Sequence, residues 1–144
     1  MSTADPEREL VELNREECLS LLRGEFVGRI ASSVAGGAPI VVPVNFVMDG
    51  DDPVYRTRHA DSIPHLLGSP VSFQVDRLDP SHRTGWSVLV HGVAELASDS
   101  DAGLLHVVPW APGERSVFIR VAAKAITGRR IELHLESLDG RGYL

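Results

Sequence analysis

The residues of this chain best placed to do chemistry are arginines, hydroxyls and a tryptophan on short β-like runs. Arg56 and Arg58 stand two apart, so a strand puts them on one face with Tyr55 and Thr57 on the other. Two guanidiniums on one face suit a phosphate; a solvated, half-exposed strand carries the same pattern. Ser62, at the start of a short helix just beyond, adds a hydroxyl and backbone N–H groups for such an anion. Residues 84–95 alternate Trp86, Val88 and Val90 against Ser87, Leu89 and His91. A strand apolar on both sides suits a closed barrel or a dimer seam, and Trp86 beside Ser87 offers stacking surface next to a hydroxyl. That combination fits a flat, hydrogen-bonding ligand. Pro43 interrupts the apolar run 40–46 and removes a ladder donor, which marks an edge, a bulge or a point of close approach. Asn45 beside it brings a donor and an acceptor that need partners, and a ring edged with imide groups would supply them.

Other chemistries find no support. His59, His65, His82, His91, His106 and His134 form no i, i+4 pair and have no carboxylate at a metal-ligand spacing. Ser32-Ser33 lacks the glycines of a nucleophile elbow, and Gly36-Gly37 does not open a phosphate-cradling loop ahead of a helix. With no paired carboxylates in an acid–base arrangement, a reaction here leans on a bound cofactor for its hard step. The net charge of -6 argues against nucleic acid and anionic membrane as partners. One cysteine, Cys18, allows no internal disulfide and fits a reducing, cytoplasmic setting.

The elements that must position these residues read as one domain over 13–135, with a flexible tail at 1–12 and a second tail at 136–144. Asn14 and Glu17 form a capping box for a short helix whose stripe is Cys18, Leu21 and Leu22, with Leu13 and Cys18 as its staple and Gly24 or Gly28 at its end. Strands are expected at 27–34, 39–48, 53–58, 71–78, 86–96 and 116–126, with 130–135 as an edge or dimer-contacting continuation. Short helices are expected at 61–67 and 99–107, and a rigid corner at Pro109-Trp110. The sum is a mainly β, six-stranded antiparallel barrel with a few short helices.

Taken with their order, Val42-Pro43-Val44-Asn45, Tyr55-Arg56-Thr57-Arg58, Val71-Ser72-Phe73-Gln74-Val75-Asp76 and the run from Arg83 to Gly92 resemble the pyridoxamine 5'-phosphate oxidase-like family. The resemblance covers about residues 13–131. Its most specific pieces are Gly85-Trp86-Ser87-Val88, Pro109-Trp110 and Thr127-Gly128-Arg129-Arg130. It implies an FMN-binding split β-barrel and a homodimer with two flavins in grooves between the subunits. By that resemblance Val42, Pro43, Val44 and Asn45 line the isoalloxazine, Thr57, Arg58 and Ser62 meet the ribityl-phosphate, and Trp86 and Ser87 abut the ring. Trp110, Arg129 and Arg130 are implied contributions from the partner chain. The implied activity is a flavin-dependent oxidoreductase exchanging a hydride through flavin N5 with a small-molecule substrate, with no residue cast as an obligate proton donor.

Two departures qualify it. The family's Gly-Thr-Lys-Leu type turn is Ala60-Asp61-Ser62-Ile63 here, so the phosphate loses a cation. Loss of one charge-assisted bond, about 1.5–3 kcal/mol, weakens FMN binding about ten- to a hundredfold unless arginines compensate. The deazaflavin F420, or a flavin-free binding or stress-related module, is the alternative. The end of the chain also lacks a basic cluster to grip pyridoxal phosphate, so vitamin B6 oxidation is not expected.

Overall fold

The computed structural model describes residues 8–33, 37–57, 66–97 and 117–133. Its one helix among these is α1 (Arg15–Arg23). Asn14 Oδ1 accepts the Glu17 N–H at 2.9 Å and Glu17 Oε1 accepts the Asn14 N–H at 3.0 Å, which satisfies two amides the first turn cannot pair internally. Gly24 ends the helix, its N–H donating to the Leu21 carbonyl and the following Glu25 N–H to the Leu22 carbonyl, each at 3.2 Å. Cys18, Leu19 and Leu22 are the buried positions, with Leu21 packed at the margin of the core. Leu13 and Cys18, on either side of the cap, both belong to the main core. Burial pushes the Cys18 thiol up, so it stays protonated and serves as packing.

The strands are β1 (Arg8–Leu13), β2 (Val27–Ser32), β3 (Ile40–Asp49), β4 (Asp52–Thr57), β5 (Pro70–Asp79), β6 (Thr84–Ala97) and β7 (Val117–Leu133). They follow the order β1-β7-β4-β3-β2-β5-β6, all antiparallel, and β6 pairs again with β7. Six strands therefore close into a barrel, and β1 is appended to the far part of β7. Closure gives each of the six a neighbour on both sides over part of its length, with residues 40–45 of β3 paired only to β2 among the described residues.

The barrel interior follows from alternation. Phe46, Tyr55, Phe73, Val75, Val88, Val90, Ile119 and Val121 are buried in one cluster, with the Phe46 and Phe73 rings edge-to-face at 4.8 Å. Gly28 makes room for that pair: a Cβ there would lie 2.3 Å from Phe73 Cζ. Outside the barrel wall, Arg120 is clasped by Asp49 and by Asp52 at 3.2 Å, while Asp52 Oδ1 takes the Ala123 N–H at 2.9 Å. These bonds tie the β3–β4 turn to β7.

Two differences from the sequence reading have physical causes. The two segments expected at 116–126 and 130–135 are one 17-residue strand. Its pairing with β6 slips at His91/Gly92, where Ala125 and Ala123 are consecutive partners and Lys124 is skipped. The bulge resets the alternation, so Ile119 and Val121 before it and Ile126 after it all face the core. Second, the tail expected to be mobile through residue 12 is, from Arg8, a ladder partner of β7. Arg8 donates to the His82 carbonyl from Nη2 at 2.8 Å and Nε at 3.2 Å, fastening a strand half of whose side chains are charged. The expected helices at 61–67 and 99–107 fall outside the described residues, apart from Leu66 and Leu67. No helix among the described residues is long and apolar enough to cross a membrane.

Candidate functional site

Where β5 and β6 turn Phe73, Val75, Val88 and Val90 inward, they turn Ser72, Gln74, Asp76, Ser87, Leu89 and His91 outward. The register sets Ser87 opposite Asp76 on β5 and opposite Arg129 on β7, and Arg129 in turn opposite Glu12 on β1. Ser87, Arg129 and Glu12 border a cavity of about 460 Å³, with Gln74 and Thr127 adding polarity and Leu13, Leu89 and Ile126 apolar surface. Gln74 is fixed on the β2 side: its Oε1 accepts from Arg29 at 3.4 Å and its Nε2 donates to Asp76 at 3.0 Å. Farther along the same face Ser72 Oγ and His91 Nδ1 are bonded at 2.9 Å.

Trp86 sits on the other face of β6, because successive strand residues point to opposite sides. Its cross-strand neighbours are Arg77 and Arg130, and the three border a separate trough of about 900 Å³. Arg77 is held there by Glu25, at 2.8 Å from Nε and 3.3 Å from Nη2. Thus Ser87 and Arg129 come together on one face, and Trp86 and Arg130 on the opposite one. The trough ends at the β5–β6 turn, where hydrogen bonds from the Ser81 hydroxyl and then from His82 hold the Asp79 carboxyl down at about 2.

The second cluster of expected residues lies on β3. β4 pairs with β3 only from Phe46–Tyr55 to Asp49–Asp52, so among the described residues 40–45 have a ladder partner only in β2. Ile40, Val41 and Val42 are 58 %, 59 % and 42 % exposed on this single-sided stretch. Val44 packs on the core, and Asn45 Nδ2 reaches the Phe26 carbonyl at 3.4 Å, sharing it with the Phe46 amide. Thr57 ends β4 opposite Val117. The Arg56 guanidinium stands over the Phe118 ring, 5.2 Å from its centroid, in a cation–π contact. Burial pushes the Tyr55 phenol up to about 12, which leaves it neutral. Arg58, Ser62 and Trp110 lie outside the described residues.

With this geometry in view, residues 14–138 match the family described as Pyridoxamine 5'-phosphate oxidase. The chain belongs to that family. It is 33% identical over 135 residues to an uncharacterized protein of Mycobacterium tuberculosis, covering 86% of this chain and 87% of that one. A solved FAD binding protein from Mycobacterium smegmatis superposes with a TM-score of 0.67 at 28% identity, over 85% of this chain and 98% of the other. A FAD-binding protein from Mesorhizobium loti does so with 0.69 at 25% identity, over 87% and 98%.

Measured against the family's implied flavin site, the residues divide. Strands β2 and β5 stand between β3 and β6 in the sheet. Three ladder spacings of about 4.8 Å put the β3 edge and Ser87 about 14 Å apart across the barrel surface. Within one chain, Val42 to Asn45 and Ser87 with Arg129 therefore lie on two separate stretches of the sheet. Each is chemically suited to part of a flavin: a strand edge with apolar side chains on one, hydroxyls and a guanidinium around an apolar floor on the other. Glu12, Gln74 and Thr127 were given no ligand role from the sequence, although Gln74 and Thr127 stand in runs that carry the resemblance. Gln74 could have been given one, as the polar residue between inward Phe73 and Val75.

Proposed function

We propose that the protein is an FMN-binding oxidoreductase that works as a homodimer, with each flavin held between the β3 edge of one copy and the Ser87–Arg129 half-site of the other. The observation that carries this reading is the separation of the two half-sites by β2 and β5. A second copy brings opposite halves together. On the first half, Val42, Pro43, Val44 and Asn45 line the ring while Thr57, Arg58 and Ser62 meet the ribityl-phosphate. On the second, Ser87 and Arg129 hold the ring's polar edge, with Trp110 closing the groove. Trp86 and Arg130, which face the other way, support β6 and β7 from behind. When bound, FMN supplies hydride exchange at its N5 with a small-molecule substrate; the protein binds, orients and shields it. Membership of the family and the FAD-binding neighbours at 28% and 25% identity support a flavin ligand. The buried thiol of Cys18 fits a cytoplasmic protein.

The test is direct. Purified protein is expected to be a dimer by light scattering, to carry a flavin absorbance band, and to release FMN on denaturation. A monomer that takes up no flavin overturns the reading. Because Ala60-Asp61-Ser62-Ile63 lacks the family's lysine, F420 is the second ligand to titrate. Uptake of F420 with none of FMN replaces the cofactor and keeps the composite site, and a colourless dimer indifferent to both is a flavin-free module.

A further inference from the structure

Glu12 and Arg129 are directly opposed across β1 and β7, as Arg129 and Ser87 are across β7 and β6. Opposite charges facing each other across a ladder ordinarily pair. Here they do not: among the described residues, the side chains of Glu12, Ser87, Thr127 and Arg129 make no hydrogen bond or ion pair, although all four border the same cavity. The chemistry of the row is ordered. A carboxylate only accepts, a guanidinium only donates, and a hydroxyl does either. The complement is a planar group that presents an N–H next to a C=O, with a ring face to lay on Leu89. Strand β1, which supplies Glu12, ends at Leu13, just before the family match begins at residue 14.

We propose that Glu12 and Arg129 read the imide edge of the flavin ring, Glu12 accepting from its N–H and Arg129 donating to the adjoining carbonyl. This rests on the flavin reading above. It makes Glu12 a ligand-selecting residue carried by a strand outside the family match, and it gives β1 a reason to be fastened down by Arg8.

The experiment titrates full-length protein with FMN and with 3-methyl-FMN, in which the imide N–H is blocked, followed by flavin fluorescence. Both ligands keep the phosphate, so only the ring edge differs. The wild type is expected to bind FMN about tenfold or more tightly than the methylated form, the size of one hydrogen bond to a charged group. Glu12→Ala is expected to lose that factor from FMN affinity and leave 3-methyl-FMN unchanged. Glu12→Gln, which still offers a carbonyl, is expected to retain part of the preference, and Arg129→Gln to weaken both ligands alike. The proposal is overturned if the wild type binds both equally. It is also overturned if Glu12→Ala only improves 3-methyl-FMN, because the carboxylate would then be a steric neighbour and no acceptor. FMN binding without discrimination removes the role of Glu12 and leaves the flavin site standing; no flavin uptake at all removes both.

Discussion

Strands β5, β6 and β7 run through two regions of different character. Inside the barrel they bury Phe73, Val75, Val88, Val90, Ile119 and Val121 almost completely. Beyond it, joined by β1, the same strands leave Leu78 69 %, Leu10 59 % and Ile131 42 % exposed, and set Arg77, Trp86 and Arg130 in one row. The barrel spends its side chains on closure. The extension, with no opposing wall among the described residues, keeps two faces bordered by charge and hydroxyl, and cavities of about 900 and 460 Å³ lie along it. A rigid closed core thus holds out a two-faced ribbon on which binding groups can be varied at little cost to folding.

If that division holds, the largest effect belongs to the barrel. Phe73→Ala removes a fully buried ring that meets Phe46 and fills the space over Gly28, and should cost about 3–5 kcal/mol in denaturant unfolding. A loss under about 1 kcal/mol would mean that the barrel is not the scaffold. Next comes Arg58→Ala, expected to weaken FMN about ten- to a hundredfold in a fluorescence titration, the worth of a charge-assisted phosphate contact. Its unfolding midpoint should stay that of the wild type; unchanged FMN affinity would remove Arg58 from the phosphate site. Trp86→Ala sharpens the contrast between the two faces of β6. Trp86 is half-buried against the core margin, on the side away from Ser87, so its loss should lower stability by about 1–2 kcal/mol and leave FMN affinity alone. Weakened flavin binding at unchanged stability would return Trp86 to the flavin.

The same division explains what could be read from the chain beforehand. Alternation located all six barrel strands, and Asn14 with Glu17 located the helix start, because each of those signals is local. The slip at Lys124 left no mark on β7 itself, neither glycine nor proline; its one local sign is Gly92 on the facing strand, where a Cβ would lie 2.3 Å from the Ala122 carbonyl oxygen. Strand β1 was hidden by Arg8, Glu9 and Glu12: an edge strand open on both faces has no hydrophobic period, and its anchor, the Arg8 bond to His82, joins residues 74 apart. The site was half legible for a related reason. Alternation alone puts Trp86 and Ser87 on opposite faces, and only the β6–β7 register adds that Ser87 shares its face with Arg129 and Glu12.

The smallest expected effect concerns the outer end of the extension. Asp79 accepts the Ser81 hydroxyl at 2.7 Å and the His82 amide at 3.2 Å, while its second oxygen meets His82 Nδ1 at 2.7 Å. The turn so shaped presents the His82 carbonyl to Arg8, which holds β1. The folded carboxyl titrates at about 2 against 3.8 for the free group, so its contribution is whole above 3.8 and is lost as pH falls through about 2. Solvent exposure keeps that contribution small, and its signature is therefore local rather than global. Amide exchange in β1 should accelerate between pH 3.8 and 2 relative to exchange in β5 within the barrel, after correction for intrinsic rates. Asp79→Asn should bring the faster exchange of β1 to neutral pH and flatten its pH dependence. Equal protection of β1 and β5 down to the acid limit would mean that the extension opens only with the barrel, and that the two regions form one cooperative unit.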